Sequence, residues 1–200
     1  MFLPLHFLID YDKIELLAIH NTYGGVTMFQ KGDLIIYSNE GVCRVEDVAP
    51  LKTLSDSTSD KFFYKLSPIY GKGSILIPVD TKVFMRPIIS KEEAHRLISK
   101  IPEVKCMPVE IKNQKKLHEY YESSFTSHKC EDLIKLIKTV NVKTKKQISN
   151  GKKPGQTEQR YLKRAEDLLL GEFAIVLDLP CNEVIGYIEK ELEELEKKVV

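Results

Sequence analysis

Residues 33–48 read DLIIYSNEGVCRVEDV, and this stretch decides the fold of the first half of the chain. The segment DLIIY is apolar and β-branched, which favours a strand. The segment SNEG is typical of a turn, because Gly41 accepts a positive φ without steric cost. The segment VCRVEDV resumes an alternating pattern, with Val42 and Val48 as the expected core positions. The sequence therefore predicts a β-hairpin.

Three further short strands follow the hairpin. They are FFYKL at 62–66, ILIPV at 75–79 and KVFMR at 82–86, and a loop rich in Ser, Thr and Asp occupies 52–60. The segment YGKGS at 70–74 lacks the spacing of a phosphate-binding loop and is expected to be a hairpin connection. Five short strands in so few residues predict a small, strongly bent barrel.

The second half of the chain has helical periodicity. Ser90 and Glu93 form a capping box that opens a helix ending at Pro102. Two further helices are expected over 112–125 and 131–148. A fourth is expected from an N-cap at Thr157 to about residue 176, and a fifth begins at 178–180 and ends in the charged run 189–198. The expected fold class is α+β, with a barrel domain over 28–88 and an all-helical domain over 89–200.

Composition excludes several classes of protein. The chain is 42% hydrophobic and 30% charged, as in ordinary globular proteins, and it has no apolar run long enough to span a membrane. Its four cysteines lie far apart, which predicts reduced thiols in a cytoplasmic protein. His118, His128 and Cys130 fit no standard zinc spacing. No catalytic motif is present, so we expect no enzyme activity, metal or cofactor.

The first 27 residues form an unusual opening. MFLPLHFLID is apolar but lacks the basic start of a signal peptide. The Gly-Gly-Val at 24–26 can be encoded by a ribosome-binding sequence placed just before the codon for Met28. We therefore expect a native start at Met28, with 1–27 as a translated leader. The alternative is a genuine N-terminal element that packs on the body.

Charge is balanced over the whole chain but segregated along it. Residues 112–164 carry 14 Lys and Arg against 5 Asp and Glu, whereas residues 165–200 carry 3 against 10. A basic block on helices indicates a polyanionic partner, although it does not distinguish DNA from RNA or from an acidic protein. The alternative is a solvated surface that the acidic C-terminal helix neutralises.

Three pieces of the sequence together resemble the CarD/CdnL family of bacterial regulators that bind RNA polymerase. The first is MFQKGD at 28–33 with Tyr37 and Gly41, and the second is ILIPV at 75–79. The third is a helix pattern formed by Glu158, Leu162, Ala165, Leu169, Gly171, Glu172 and Ala174. The resemblance runs from Met28 to about Glu194, and a family beginning at Met28 also supports the leader hypothesis.

The resemblance implies a Tudor-like domain that docks a sheet edge on the polymerase β subunit, with contacts from Lys52, Ile75, Leu76 and Ile77. It further implies a helical domain that contacts promoter DNA at the upstream edge of the melted bubble and stabilises the open complex. It favours a monomer.

A tryptophan wedges into the minor groove in that family, and this chain has none. Leu117 stands at the tryptophan position and could act as the wedge, with Tyr120 as a substitute; the alternative is that Leu117 belongs to the core. The expected phosphate contacts are Lys116, Lys143, Lys145, Lys146, Lys152, Lys153, Arg160, Lys163 and Arg164. Of these, Arg160, Lys163 and Arg164 fall where the resemblance places DNA.

The missing tryptophan leaves a second hypothesis open. The protein would then be an adaptor that binds polymerase through its first domain and another protein through its helices, without direct DNA contact.

Overall fold

A small hairpin, a five-stranded sheet and five α-helices make up the part of the chain that the computed structural model describes, namely residues 21–23, 26–50, 62–106 and 114–199. Strands β1 (Asn21–Tyr23) and β2 (Val26–Met28) pair antiparallel as the hairpin. The predicted leader at 1–27 stays a prediction, because a hairpin at its end is compatible with either origin of the segment.

The main sheet is antiparallel throughout. Its strands are β3 (Leu34–Tyr37), β4 (Gly41–Pro50), β5 (Phe62–Pro68), β6 (Ile75–Pro78) and β7 (Met85–Pro87). Their order in space is β6-β5-β4-β3-β7. Each predicted strand is present, with ends shifted by a few residues.

The predicted hairpin over 33–48 is confirmed. Tyr37 pairs with Gly41, and Gly41 takes a φ of +79°, which requires glycine or strain. Val42 is buried as expected, but Cys43 and Val45 form the sheet core and Val48 is only half-buried. A register shift between Val45 and Asp47 explains the difference, because it interrupts the strict alternation along β4.

The predicted closure into a barrel is not observed. Strands β6 and β7 are the two edge strands of the sheet, and they do not pair with each other in the described part of the chain. The two end strands have four and three residues, so each offers few hydrogen bonds. The first unit is therefore an open, five-stranded antiparallel sheet that precedes the helices in an α+β chain.

The helices are α1 (Lys91–Lys100), α2 (Gln114–Thr126), α3 (Cys130–Ser149), α4 (Gln156–Leu177) and α5 (Val184–Val199). A short 3₁₀ turn, Ile101–Glu103, follows α1. The capping box is confirmed, because the Glu93 amide donates to Ser90 Oγ over 3.2 Å. The predicted N-cap at Thr157 is wrong, since α4 begins at Gln156 and Gly155 occupies the cap.

The helices share one apolar core that is separate from the sheet core. Its fully buried members include Tyr121, Leu136, Val140, Phe173 and Val184. Among the described residues, no helix is long and apolar enough to cross a membrane.

Candidate functional site

A buried ion pair fastens the sheet to α4. Arg86 of β7 donates from Nη1 to Glu172 Oε1 over 2.5 Å and from Nη2 to Glu172 Oε2 over 2.8 Å. Glu172 is 2% exposed, and it also accepts hydrogen bonds from the Ile89 amide (3.0 Å) and the Cys130 thiol (3.3 Å). A buried carboxylate needs this many partners, because it has lost its water.

The protonation of this junction follows from its geometry. Burial disfavours the charge on Arg86, but hydrogen bonds and Coulomb attraction to Glu172 outweigh burial and raise the Arg86 pKa. Burial and the neighbouring Glu172 carboxylate raise the pKa of the Cys130 thiol. The junction therefore holds one cation, one anion and a neutral thiol, and it fixes α4 against the sheet.

Three predicted cations lie together on α4. Lys163 and Arg164 follow Arg160 by three and four residues, which places all three on one helix face. All three line a cleft of about 960 Å³ between α4 and the sheet. Tyr70 and Gly171 line the same cleft. A concave basic surface at the meeting of two units is suited to a polyanion.

The three cations differ in their partners. Arg164 lies over the Phe125 ring, 4.0 Å from its centroid, and its Nη1 is 3.4 Å from Glu122 Oε2. Lys163 forms an exposed pair with Asp167 at 3.3 Å. Arg160 is exposed and has no ion pair with any residue that the structure describes. Arg160 is therefore the cation most available to a ligand, whereas Arg164 also supports the packing of α2 on α4.

A second cleft, of about 360 Å³, opens on the other side of Arg160 and Arg164, between α2 and α4. Tyr161 donates to Glu122 Oε1 over 2.9 Å there, and its hydroxyl is 2.5 Å from His118 Nδ1. Burial and the Glu122 carboxylate raise the Tyr161 pKa to about 12. Arg160 and Arg164 thus stand between the two clefts, and together with Lys163 they form the cation ridge of α4.

The remaining predicted cations line neither of these two clefts, and Lys145 lines a separate apolar cleft among α3, α4 and α5. Lys152 and Lys153 are exposed in the loop before α4, and Lys146 is exposed in the last turn of α3. Lys145 and Lys116 are also exposed. Lys143 differs, because it donates to Glu158 over 2.6 Å and its side chain is 18% exposed. Its role is internal, which removes it from the expected phosphate contacts.

The structure does not bring the predicted wedge residues to this surface. Leu117 is 7% exposed and belongs to the helical core. Tyr120 is half-buried against the same core, and burial raises its pKa. For Leu117, the alternative of a core leucine agrees with the burial, so we leave it out of the nucleic-acid surface.

The expected polymerase contacts on β6 differ in exposure, because side chains alternate between the two faces of a strand. Leu76 is 51% exposed and lies opposite Lys65 of β5. Ile77 is 8% exposed and packs in the sheet core, and Ile75 is half-buried against that core. Lys52 lies outside the described residues. Only Leu76 of the three therefore offers a free side chain, and β6 pairs with β5 alone among the described strands.

The residues considered for a metal site have other partners. His128 stacks on Phe84 with centroids 4.1 Å apart, and Cys130 donates to Glu172. Within the described ranges, no three His, Cys, Asp or Glu side chains come together in a metal-binding group.

Sequence reasoning missed the junction and the aromatic wall of the large cleft. One signal was present, since Glu158 and Glu172 share the apolar stripe of α4 with Ala165 and Leu169. Acidic residues on a buried stripe indicate paired charges. Tyr70 carried no comparable signal, because its surroundings come from α4, a hundred residues away.

Comparison with known proteins gives a family match over the region of the main sheet. Residues 29–89 match the family described as CarD-like/TRCF RID domain. No curated protein matches the chain.

Proposed function

Because residues 29–89 are a CarD-like/TRCF RID domain, which interacts with RNA polymerase, we propose that the chain is a bacterial cytoplasmic transcription regulator that stabilises the open promoter complex. The sheet would hold the polymerase β subunit, and the ridge on α4 would contact upstream promoter DNA. The family match carries this proposal. Domains of this family bind proteins and do not catalyse reactions.

The free edge of the sheet supports the polymerase contact. Strand β6 has unpaired backbone groups on its outer side in the described part of the chain, and such an edge can pair with a strand of another protein. Leu76 adds a half-exposed apolar side chain at that edge. Backbone pairing would supply affinity, and the pocket that receives Leu76 would supply specificity.

A charge at Leu76 tests the polymerase contact. In the full chain, Leu76→Glu should weaken capture of the purified polymerase β subunit, while the sheet remains folded because Lys65 lies opposite the new carboxylate. Ile148→Glu on α3 is the matched control, since Ile148 is 58% exposed and distant in sequence from the sheet. Equal capture of both variants and the parent chain would refute docking at β6.

The cation ridge supports the DNA contact. Arg160, Lys163 and Arg164 share one face, and exposed Lys152 and Lys153 precede it. So few cations give non-specific affinities of about 10⁻⁴–10⁻⁶ M that fall steeply with salt. The polymerase contact would raise the effective concentration of the ridge at the promoter.

Charge reversal at the ridge tests the DNA contact. Arg160→Glu with Lys163→Glu should weaken binding to the polymerase–promoter complex, yet leave β-subunit capture intact. Arg164 is kept, because it stacks on Phe125. Lys190→Glu with Lys197→Glu on α5 changes the net charge equally and serves as control. Unchanged promoter binding at low salt in the α4 variant would contradict the proposal.

A second candidate function is favoured by an apolar cleft of about 460 Å³ among α3, α4 and α5, where Val142 and Ile185 are exposed. Such a surface suits a protein partner, as expected of an adaptor without DNA contact. A salt-dependent shift of forked promoter DNA by the isolated protein separates the two functions, since an adaptor would give none.

A further inference from the structure

The cleft of about 960 Å³ has two chemically different walls. One wall is α4, with Arg160 and Lys163, and the other is formed by Tyr70 and the turn between β3 and β4. The volume is that of a site for a compound the size of a nucleotide or two. The cleft therefore has a cationic wall and an aromatic wall, and it is too small to hold a DNA duplex.

Tyr70 is held in place and still exposed. A Cβ on Gly171 would lie 3.1 Å from the Tyr70 ring, so the ring packs directly on the glycine of α4. Tyr70 is nevertheless 54% exposed. A tyrosine anchored on one side and exposed on the other can serve as a stacking platform, and aromatic stacking is one way in which proteins bind unpaired bases.

The other lining groups favour a nucleotide over a general polyanion. Glu40 and Asp167 also line the cleft, so its cations are interspersed with carboxylates. A polycarboxylate would meet repulsion there and would present no flat face to Tyr70. An unpaired nucleotide carries a single phosphate charge and a neutral aromatic base, which match the two walls.

We propose that this cleft binds an unpaired nucleotide of the promoter strand, with its phosphate on Arg160 and its base stacked on Tyr70. The inference rests on the proposed DNA contact and deepens it. Duplex DNA would reach the ridge without entering the cleft, and a melted strand would do both. The protein would then favour opened DNA by binding it, without an inserted wedge.

Substitution of Tyr70 tests the platform in the full-length protein. The probes are a short fluorescent oligothymidylate and a blunt duplex of equal length, both at low salt. Tyr70→Ala should weaken oligothymidylate binding about tenfold and leave duplex binding unchanged. Tyr70→Phe keeps the ring and should retain binding. Circular dichroism and urea unfolding verify that each variant is folded.

A cysteine in the cleft gives a second readout without any substitution. Cys181 lines the cleft and is partly exposed, as is Cys106, which does not line it. Saturating oligothymidylate should slow alkylation of Cys181 several-fold and leave Cys106 unaffected.

The outcomes separate the two proposals. If wild-type protein binds both DNAs but Tyr70→Ala binds oligothymidylate equally well and Cys181 stays reactive, the cleft proposal is wrong and the DNA contact stands. If wild-type protein binds neither DNA at low salt, both proposals fail.

Discussion

Removal of Arg86 should destabilise the protein more than any surface substitution. Glu172 is 2% exposed, so in Arg86→Met its carboxylate would keep only the Ile89 amide and the Cys130 thiol as partners. Breaking a buried pair in this way costs about 3–5 kcal/mol of unfolding free energy. Glu172→Gln should cost less, about 2 kcal/mol, because Arg86 is 23% exposed and retains water.

The double variant Arg86→Met with Glu172→Met separates the pair energy from packing. Both charges are then absent, and the main remaining cost is that the Ile89 amide loses its hydrogen-bond acceptor, Glu172 Oε1. The double variant should therefore be more stable than Arg86→Met alone, by about 1–2 kcal/mol. Urea unfolding followed by circular dichroism measures all three variants.

An exposed ion pair provides the control for these three variants. Lys163 and Asp167 lie 3.3 Å apart with mostly exposed side chains, so Asp167→Asn should cost under about 1 kcal/mol. The reasoning is refuted if Arg86→Met costs no more than this control, or if the double variant is no more stable than Arg86→Met alone.

Three further predictions concern stability. Burial and the nearby Arg86 charge lower the pKa of His128. The stability that neutral His128 contributes is therefore fully present above the unfolded pKa of about 6.5 and is lost as pH falls below it. His128→Asn, which tolerates the φ of +53°, should flatten the fall in melting temperature from about pH 7.5 to 5.5. Lys143→Met would leave Glu158, 8% exposed, without its cation and should cost about 2–3 kcal/mol in urea unfolding. Gly41→Ala, at a φ of +79°, should cost about 1–2 kcal/mol in the same assay.

Each of these has a control or a contrary outcome. Lys145→Met is two residues from Lys143 and exposed, so its effect should stay within about 0.5 kcal/mol. Gly186 lies in α5 with open space around it, and Gly186→Ala should stabilise the helix by about 0.5–1 kcal/mol. A pH profile unchanged by His128→Asn would show that other groups set the acid limit.

Local pattern predicted the elements well, because each depends on residues near in sequence. Alternating β-branched residues gave the strands, and Ser90 with Glu93 gave a helix start. Closure of the sheet depends on whether its first and last strands meet, and no local pattern encodes that meeting. The N-cap at Thr157 failed by two residues, since Gly155 fulfils the same backbone role without a side-chain signature.

The candidate site was only partly predictable for the same reason. Arg160, Lys163 and Arg164 were found from charge and helical spacing, which are local properties. Their different partners, such as Phe125 under Arg164, come from α2 and could not be read from spacing. Leu117 has the same local pattern whether it faces DNA or the core, and only packing against the other helices places it inside.

The junction between Arg86 and Glu172 also constrains how this protein can change over generations. Each unit contributes one half of the same charge pair, so neither half can be exchanged alone without stranding its counterpart away from water. A chimera that joins this sheet to foreign helices should express well only when the recipient brings an acid at the position of Glu172. The two units are therefore expected to be inherited as one piece, although each has its own core.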